Sequence, residues 1–164
     1  MERRSLIRAA GSAAVAGALP VAAPALAQGE AGRVIRVVPQ ANLTSLDPIW
    51  TTAVVTRNHG FMVYDQLCAQ DAAGEIKPQM AEGWATENGG RDTTFTLRAG
   101  LKFHDGEPVR AADCVASMRR WAARDTFGQV LWQRVDAVEA LDDRRFRVRL
   151  KQRFPLLLAA LGQT

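Results

Sequence analysis

The sequence has few of the side chains on which disulfide frameworks, metal sites and most nucleophilic enzymes depend. Its 164 residues include only 2 cysteines and 2 histidines. Two cysteines are too few for a disulfide scaffold. His59 and His104 have no cysteine or carboxylate partner at a recognised metal-ligand spacing. The Gly-x-Ser-x-Gly and His-Glu-x-x-His patterns and a phosphate-binding glycine loop are also missing. We therefore expect no catalytic residue, no metal and no cofactor.

Charge and composition are those of an ordinary globular domain. Hydrophobic residues make up 48% and charged residues 23% of the chain, which excludes a disordered, collagen-like or multi-span membrane protein. The net charge of +4 is weak evidence for a nucleic-acid binder, because both signs are interspersed. Arg145, Arg147 and Arg149 alternate with apolar residues. They fit the outward face of a half-buried strand, with an anion-binding site as the alternative.

Residues 1–27 have the three zones of an export signal. A basic start that includes Arg3-Arg4 precedes an uncharged, mostly apolar stretch, and Ala25-Leu26-Ala27 has the pattern that a signal peptidase recognises. The stretch is rich in alanine and ends near two prolines, which argues against a membrane span. We predict cleavage before Gln28, which would leave a soluble periplasmic chain. The paired arginines favour twin-arginine export, and an ordinary secretory signal is the alternative.

Hydrophobic periodicity predicts strands and helices after the leader. The predicted strands are Val34–Val38, Trp84–Glu87, Thr93–Arg98, Val135–Leu141 and Arg145–Lys151, and the predicted helices are Thr51–Leu67, Ala111–Arg124 and Leu156–Leu161. Turn residues at Asn88-Gly89-Gly90 and Asp142-Asp143 predict two hairpins, and Gly74 lies in a turn between two short extended pieces. We expect the last, apolar helix to be an exposed surface.

The helix predicted at Ala111–Arg124 is amphipathic. Its apolar face, which should pack into the core, carries Cys114, Met118 and Trp121. Its polar face carries Asp113, Ser117, Arg120 and Arg124. Cys68 also occupies an apolar position, so we expect two buried free thiols, with a disulfide as the alternative in an exported protein. Trp50 follows Leu46-Asp47-Pro48 in a polar segment, where it is either a loop anchor or a ligand-stacking group.

Six segments in order carry a family resemblance. They are Leu46-Asp47-Pro48, Tyr64–Leu67, Asp71–Gly74, Pro78–Trp84, Thr94–Arg98 and Gly100–Val109, the last running on to Ser117. At this spacing, behind an export signal, they resemble the family 5 extracytoplasmic solute-binding proteins, which deliver peptides, nickel chelates and related solutes to ABC importers. One departure is Arg110, where the family usually has a helix-capping Thr or Ser.

The resemblance implies an α/β fold, here an α+β fragment. Residues 28–164 would form the N-terminal part of lobe one of a two-lobed periplasmic-binding-protein fold, truncated relative to the longer members of the family. The implied function is the substrate-binding component of an ABC importer for peptides or related small polar solutes, without catalysis. The family's cleft is lined by the stretch after Leu-Asp-Pro, which maps onto Trp50, Thr51, Thr52 and Val54.

The implied partners are a peptide-like small solute and the membrane permease of an importer. Nucleic acid is not expected as a partner, and the full-length protein is expected to be a monomer. Two alternatives come from other classes of protein. One is a secreted hydrolase-type enzyme, for which the sequence offers no defensible nucleophile–base pair. The other is a small anion- or nucleic-acid-binding protein, which would depend only on the predicted strand Arg145–Lys151, called the arginine strand below.

Overall fold

The computed structural model describes residues 35–162. In chain order the elements are α1 Val54–Val63, β1 Cys68–Gln70, β2 Ile76–Pro78, β3 Ala81–Glu87, a 3-10 turn Asn88–Gly90, β4 Asp92–Leu97, α2 Ala111–Arg124, α3 Thr126–Trp132, β5 Val135–Ala140, β6 Arg145–Leu150 and α4 Leu157–Gly162. The predicted export signal, residues 1–27, lies outside the described residues. Within the described range, no helix has the length and apolar character needed to cross a membrane.

The two predicted hairpins join into one four-stranded antiparallel sheet with the order β3-β4-β6-β5. β3 pairs with β4 and β5 pairs with β6, which confirms both hairpin predictions. The hairpins meet at β4 and β6, in a register that places Phe95 opposite Phe146. β1 and β2 form a separate two-stranded ribbon, closed by the predicted turn in which Gly74 has a φ of +83°.

One face of the sheet carries the hydrophobic core. Phe95 and Phe146 are fully buried, and their rings stack with 5.1 Å between centroids and 13° between planes. α2 packs over this face with Cys114 and Met118, which confirms the prediction for its apolar side. Trp121 is only half-buried at the margin of the core, against which it packs. The alternation in β4 and β6 thus determines which face of the sheet is covered.

α2 begins and ends at the predicted residues. Its N-cap is Arg110, whose side chain has no acceptor to offer the first turn. Asp113 compensates from the other direction, because its Oδ2 accepts a hydrogen bond from the N–H of Arg110 at 2.8 Å. The N–H of Ala111 donates to the carbonyl of Asp143 at 2.8 Å. The helix start is therefore held without a hydroxyl cap at position 110.

One helix prediction is wrong in its length, and another is wrong about its exposure. The helix predicted over Thr51–Leu67 is the shorter α1, because the residues at both of its ends have extended backbone conformations. The apolar helix near the C-terminus is not an exposed surface. Leu157 and Ala160 of α4 are buried, and Gly162 lies so close to Ile76 that an added Cβ would approach Ile76 Cδ1 to 3.0 Å. α4 therefore packs on the β1–β2 ribbon, a contact that periodicity alone cannot reveal.

Two further elements differ from the predictions. The strand predicted at Val34–Val38 is not formed at residues 35–38, which are irregular and exposed. None of the described strands pairs with them, and a β-branched run without a ladder partner has little reason to be a strand. α3 had no counterpart among the predictions. Its N-cap is Asp125, whose Oδ1 accepts from the N–H of Gly128 at 2.8 Å.

Candidate functional site

The segment that precedes α1 is a hydrogen-bonded turn built on Asp47 and Pro48. The N–H of Ile49 donates to Asp47 Oδ1 at 3.1 Å, and the N–H of Trp50 donates to the Asp47 carbonyl at 3.2 Å. Asp before Pro favours this kind of turn, because Pro restricts the residue before it to extended conformations. The turn places Trp50 at the start of the predicted ligand-binding stretch.

Hydrogen bonds and close packing join this turn to α1. Thr56, in the first turn of α1, is buried, and its Oγ1 donates to the carbonyl of Ser45 at 2.9 Å. Gly60 is buried one turn further on, where an added Cβ would lie 3.4 Å from Pro48. Between the turn and the helix, Thr51 Oγ1 accepts from the N–H of Ala53 at 3.2 Å. The whole segment is therefore held in one conformation by its own neighbours.

α2 holds the same segment from the other side. The guanidinium of Arg120 pairs with the carboxylate of Asp47, with Nη1 to Oδ1 at 3.3 Å and a second, shorter contact between Nη2 and Oδ2. Hydrogen bonding from Arg120 lowers the pKa of Asp47 below its ordinary value. One turn later, the Cζ of Arg124 lies 3.6 Å from the centroid of the Trp50 ring. Arg120 and Arg124, which the sequence places on the polar face of α2, therefore both contact this segment.

The structure places the four predicted site residues together on an open surface. Trp50 is 62% exposed and Val54 is 44% exposed, while Thr52 is exposed and Thr51 half-buried. Arg124 anchors one face of the Trp50 ring, as a loop anchor requires, and much of the indole remains accessible, so the ligand-stacking role stays a prediction. The four residues present a ring, two hydroxyl groups and a small apolar surface, which suits a polar organic solute.

Two shallow clefts in the described part of the chain lie away from these four residues. One, of about 380 Å³, lies between the end of α1 and the β1–β2 ribbon and is lined by Phe61, Tyr64, Gln66, Ala69, Gln70 and Gln79. The other, of about 540 Å³, includes the outer side of β3 and β4. The four predicted site residues therefore lie on an open surface and line neither of these clefts.

The arginine strand is neutralised by neighbouring carboxylates. Arg145 pairs with Asp142 at 2.6 Å and Arg149 pairs with Asp136 at 2.7 Å. Arg147 pairs with Glu139 at 2.5 Å across the β5–β6 ladder. These pairs lie on the outward face, as the alternation predicts. The strand therefore offers no uncompensated row of positive charge to an anion.

The remaining candidates for chemistry have structural roles. Cys68 and Cys114 are free and buried, as predicted, and burial raises the pKa of each thiol to about 11. A neutral, buried thiol is a poor nucleophile. Asp142 is the tip of the β5–β6 hairpin, where its Oδ1 accepts from the N–H groups of Arg144 and Arg145. Residues 35–162 contain no group of three or more His, Cys, Asp or Glu side chains arranged to hold a metal.

Comparison with known proteins identifies the family. The family model for bacterial extracellular solute-binding proteins, family 5 Middle, matches residues 75–164. The chain belongs to this family. The resemblance carried by the six sequence segments is therefore confirmed.

Three similar proteins show how far the likeness extends. The probable peptide ABC transporter periplasmic-binding protein y4tO of Sinorhizobium fredii is 38% identical over 165 residues, which cover 99% of this chain and 31% of that protein. The structure of MoaA from A. tumefaciens R10 in complex with mannopinic acid matches 73% of this chain and 25% of its own, with a TM-score of 0.65 and 30% identity. Haemophilus influenzae OppA in complex with RPPGFSPFR matches 73% of this chain and 28% of its own, with a TM-score of 0.62 and 26% identity.

These matches confirm the predicted mixture of helices and sheet as part of a periplasmic-binding-protein fold. The chain spans less than a third of the length of each of these three proteins.

The sequence did not reveal that Arg120 and Arg124 contact the candidate site. Asp47 and Arg120 are 73 residues apart, so no local pattern connects them.

Proposed function

We propose that this chain forms the N-terminal part of lobe one of a substrate-binding component of an ABC importer. The observation that carries the proposal is the exposed segment Trp50–Val54, held between α1 and α2 in a member of a solute-binding family. The 38% identity to a probable peptide ABC transporter periplasmic-binding protein favours peptides or related small polar solutes as ligands. The membrane permease of the importer is the proposed protein partner.

Each site residue has a distinct proposed role. The open part of the Trp50 indole stacks on a planar or apolar group of the solute. The hydroxyl groups of Thr51 and Thr52 exchange hydrogen bonds with its polar groups, and the Thr51 hydroxyl keeps a free proton while accepting from Ala53. Val54 supplies apolar contact at the start of α1. Together they orient the solute on one wall of the binding surface.

Export to the periplasm completes the proposal. The leader carries the zones of a signal peptide and its paired arginines favour the twin-arginine route. The 99% coverage of this chain in the match to y4tO, a periplasmic-binding protein by name, supports the same location. We further propose that the protein binds without catalysis, acts as a monomer when part of a full-length protein, and has no nucleic-acid partner. Within residues 35–162, the arginines of β6 are paired with carboxylates and both thiols are buried, so these groups do not favour either alternative function.

Peptide titration of the purified chain tests the proposal. One wall leaves much of a ligand hydrated, so we expect a dissociation constant of about 1 mM, equivalent to about −4 kcal/mol. The variant Thr52→Val, which replaces a hydroxyl by a methyl group, should weaken binding severalfold. Thr126→Val makes the same change at the exposed start of α3 and serves as the matched control. If no peptide of a graded panel binds at 10 mM, the proposed solute class is wrong. If both variants weaken binding equally, the site is misplaced.

A further inference from the structure

Arg124 lies beside the candidate site with its hydrogen-bonding groups unused. Its guanidinium stacks over Trp50 at 3.6 Å, and a stacked guanidinium directs its N–H donors sideways, around the edge of the ring. Within the described residues, none of these donors has a protein acceptor, and no carboxylate lies within 4.0 Å of them. The planar fork of an arginine matches a carboxylate, which can accept two parallel hydrogen bonds.

The charge around Trp50 is also unbalanced. Arg120 is paired with Asp47, so its charge is largely compensated. Arg124 shares that carboxylate only at longer range. Arg57 is exposed one turn after Val54, on the same side of α1, and has no ion-pair partner in the part of the chain that the structure describes. Between Pro48 and Tyr64 the sequence contains no aspartate or glutamate. The candidate site therefore carries positive charge with no acidic residue in its own segment.

Stacking of an uncharged solute on Trp50 would leave both the donors of Arg124 and the excess positive charge without a partner. A cation on one face of an indole is attracted by the ring quadrupole, and it disfavours a second cation on the opposite face. An anionic group at the edge of the guanidinium meets both the unused donors and the excess charge. The segment is thus suited to the negatively charged end of a solute.

We propose that the solute binds with a carboxylate on Arg124 and with its adjacent chain over the open part of Trp50. This inference rests on the proposed function and names the chemical class of its solute, a small molecule or peptide with a free carboxylate. Arg120 has a different role. It is a positioning residue, because it holds Asp47 and thereby the turn that presents Trp50 to the solute.

Indole NMR signals provide the test. The chain has 4 tryptophans, and the Trp50 indole N–H signal is assigned by its loss in the variant Trp50→Phe. The probes are the tripeptide Ala-Ala-Ala with a free C-terminal carboxylate, the same tripeptide as a C-terminal amide, and inorganic phosphate. Because charge-assisted hydrogen bonds are about twice as strong as neutral ones, we expect the carboxylate form to bind about tenfold more tightly than the amide. The difference should shrink as salt is added.

Three variants assign the effect to its source. Arg124→Gln should reduce the ratio between the two tripeptides to about one, whereas Arg124→Lys should keep part of it because the charge remains. Arg134→Gln is the matched control, because Arg134 also lies over an aromatic ring, 5.2 Å from the centroid of Phe154. It should leave the ratio unchanged.

The outcomes separate this inference from the proposed function. Equal binding of both tripeptides with a shift of the Trp50 signal would overturn the carboxylate inference and leave the solute site in place. A ratio that survives Arg124→Gln would exclude Arg124 as the binding group. A shift by phosphate as strong as that by the carboxylate tripeptide would show an unselective anion site and contradict the inference. If neither tripeptide moves the Trp50 signal of the folded chain, the carboxylate inference fails, and the graded peptide panel decides separately whether the proposed function fails as well.

Discussion

The stacked pair of Phe95 and Phe146 joins the two hairpins, and its replacement tests whether the sheet folds as one unit. Both side chains have 0% exposure, and they face each other across β4 and β6. Phe→Ala at either position would cost about 3–5 kcal/mol, much of the 5–15 kcal/mol available to a typical domain. Phe95→Leu and Phe146→Leu keep an apolar side chain, so we expect each to cost about 1–2 kcal/mol and to leave the chain folded.

The double variant measures the stacking itself. Aromatic pairs contribute about 0.5–1.5 kcal/mol beyond the area that they bury. Either single change removes this contribution, and the second change cannot remove it again. The double variant Phe95→Leu, Phe146→Leu should therefore cost about 0.5–1.5 kcal/mol less than the sum of the two single variants.

Urea unfolding followed by circular dichroism gives the required free energies of unfolding. Phe103→Leu makes the same replacement at a residue that is 47% exposed, and its combination with Phe95→Leu should be additive. Coupling between Phe95 and Phe146 that is indistinguishable from this control, despite large single effects, would refute the stacking. It would mean that β4 does not pair with β6 in this register.

Three other predictions concern stability, export and the thiols. Trp121→Ala should cost about 2–3 kcal/mol because the ring is half-buried against the core, whereas Trp50→Ala should change stability by less than about 1 kcal/mol; thermal melts in the reverse order would contradict this assignment. Mass spectrometry of the exported protein should show Gln28 as its first residue, and replacing the two adjacent N-terminal arginines by lysine should stop export if the twin-arginine route is used. Burial raises the pKa values of the Cys68 and Cys114 thiols from 9.0 to about 11 in the folded chain. As the pH rises, the thiols of the unfolded chain therefore lose their protons before those of the folded chain. The free energy of unfolding should fall between pH 9 and pH 11.

The thiol prediction has its own control. Replacing both cysteines by alanine removes the two titrating groups and should flatten that part of the pH profile, after correction for the lower stability of the variant. A profile that keeps the same slope in the alanine variant would show that other groups cause the loss. In the native protein, both thiols should react with an alkylating reagent only on unfolding.

Local sequence patterns determined the elements whose cause is local. Alternation of apolar residues places Phe95 and Phe146 on one face of their strands, because successive side chains of a strand point to opposite sides. The limits of α2 agree with its periodicity and with the carboxylate of Asp113 in its first turn. The arginine strand faces outward for the same reason of alternation. The six ordered segments also predicted the family, which the comparisons confirm.

Only the tertiary structure decided which elements meet. Each hairpin is encoded by its turn residues, but the pairing of β4 with β6 joins segments about fifty residues apart and depends on the whole core. The surroundings of α4 depend on the β1–β2 ribbon, which lies far away in sequence. Arg120 and Arg124 of α2 have the pattern of a solvated helix face, and the fold brings them to Asp47 and Trp50. Such contacts leave no periodic trace, because a single ion pair or stacked ring constrains position in space and not spacing along the chain.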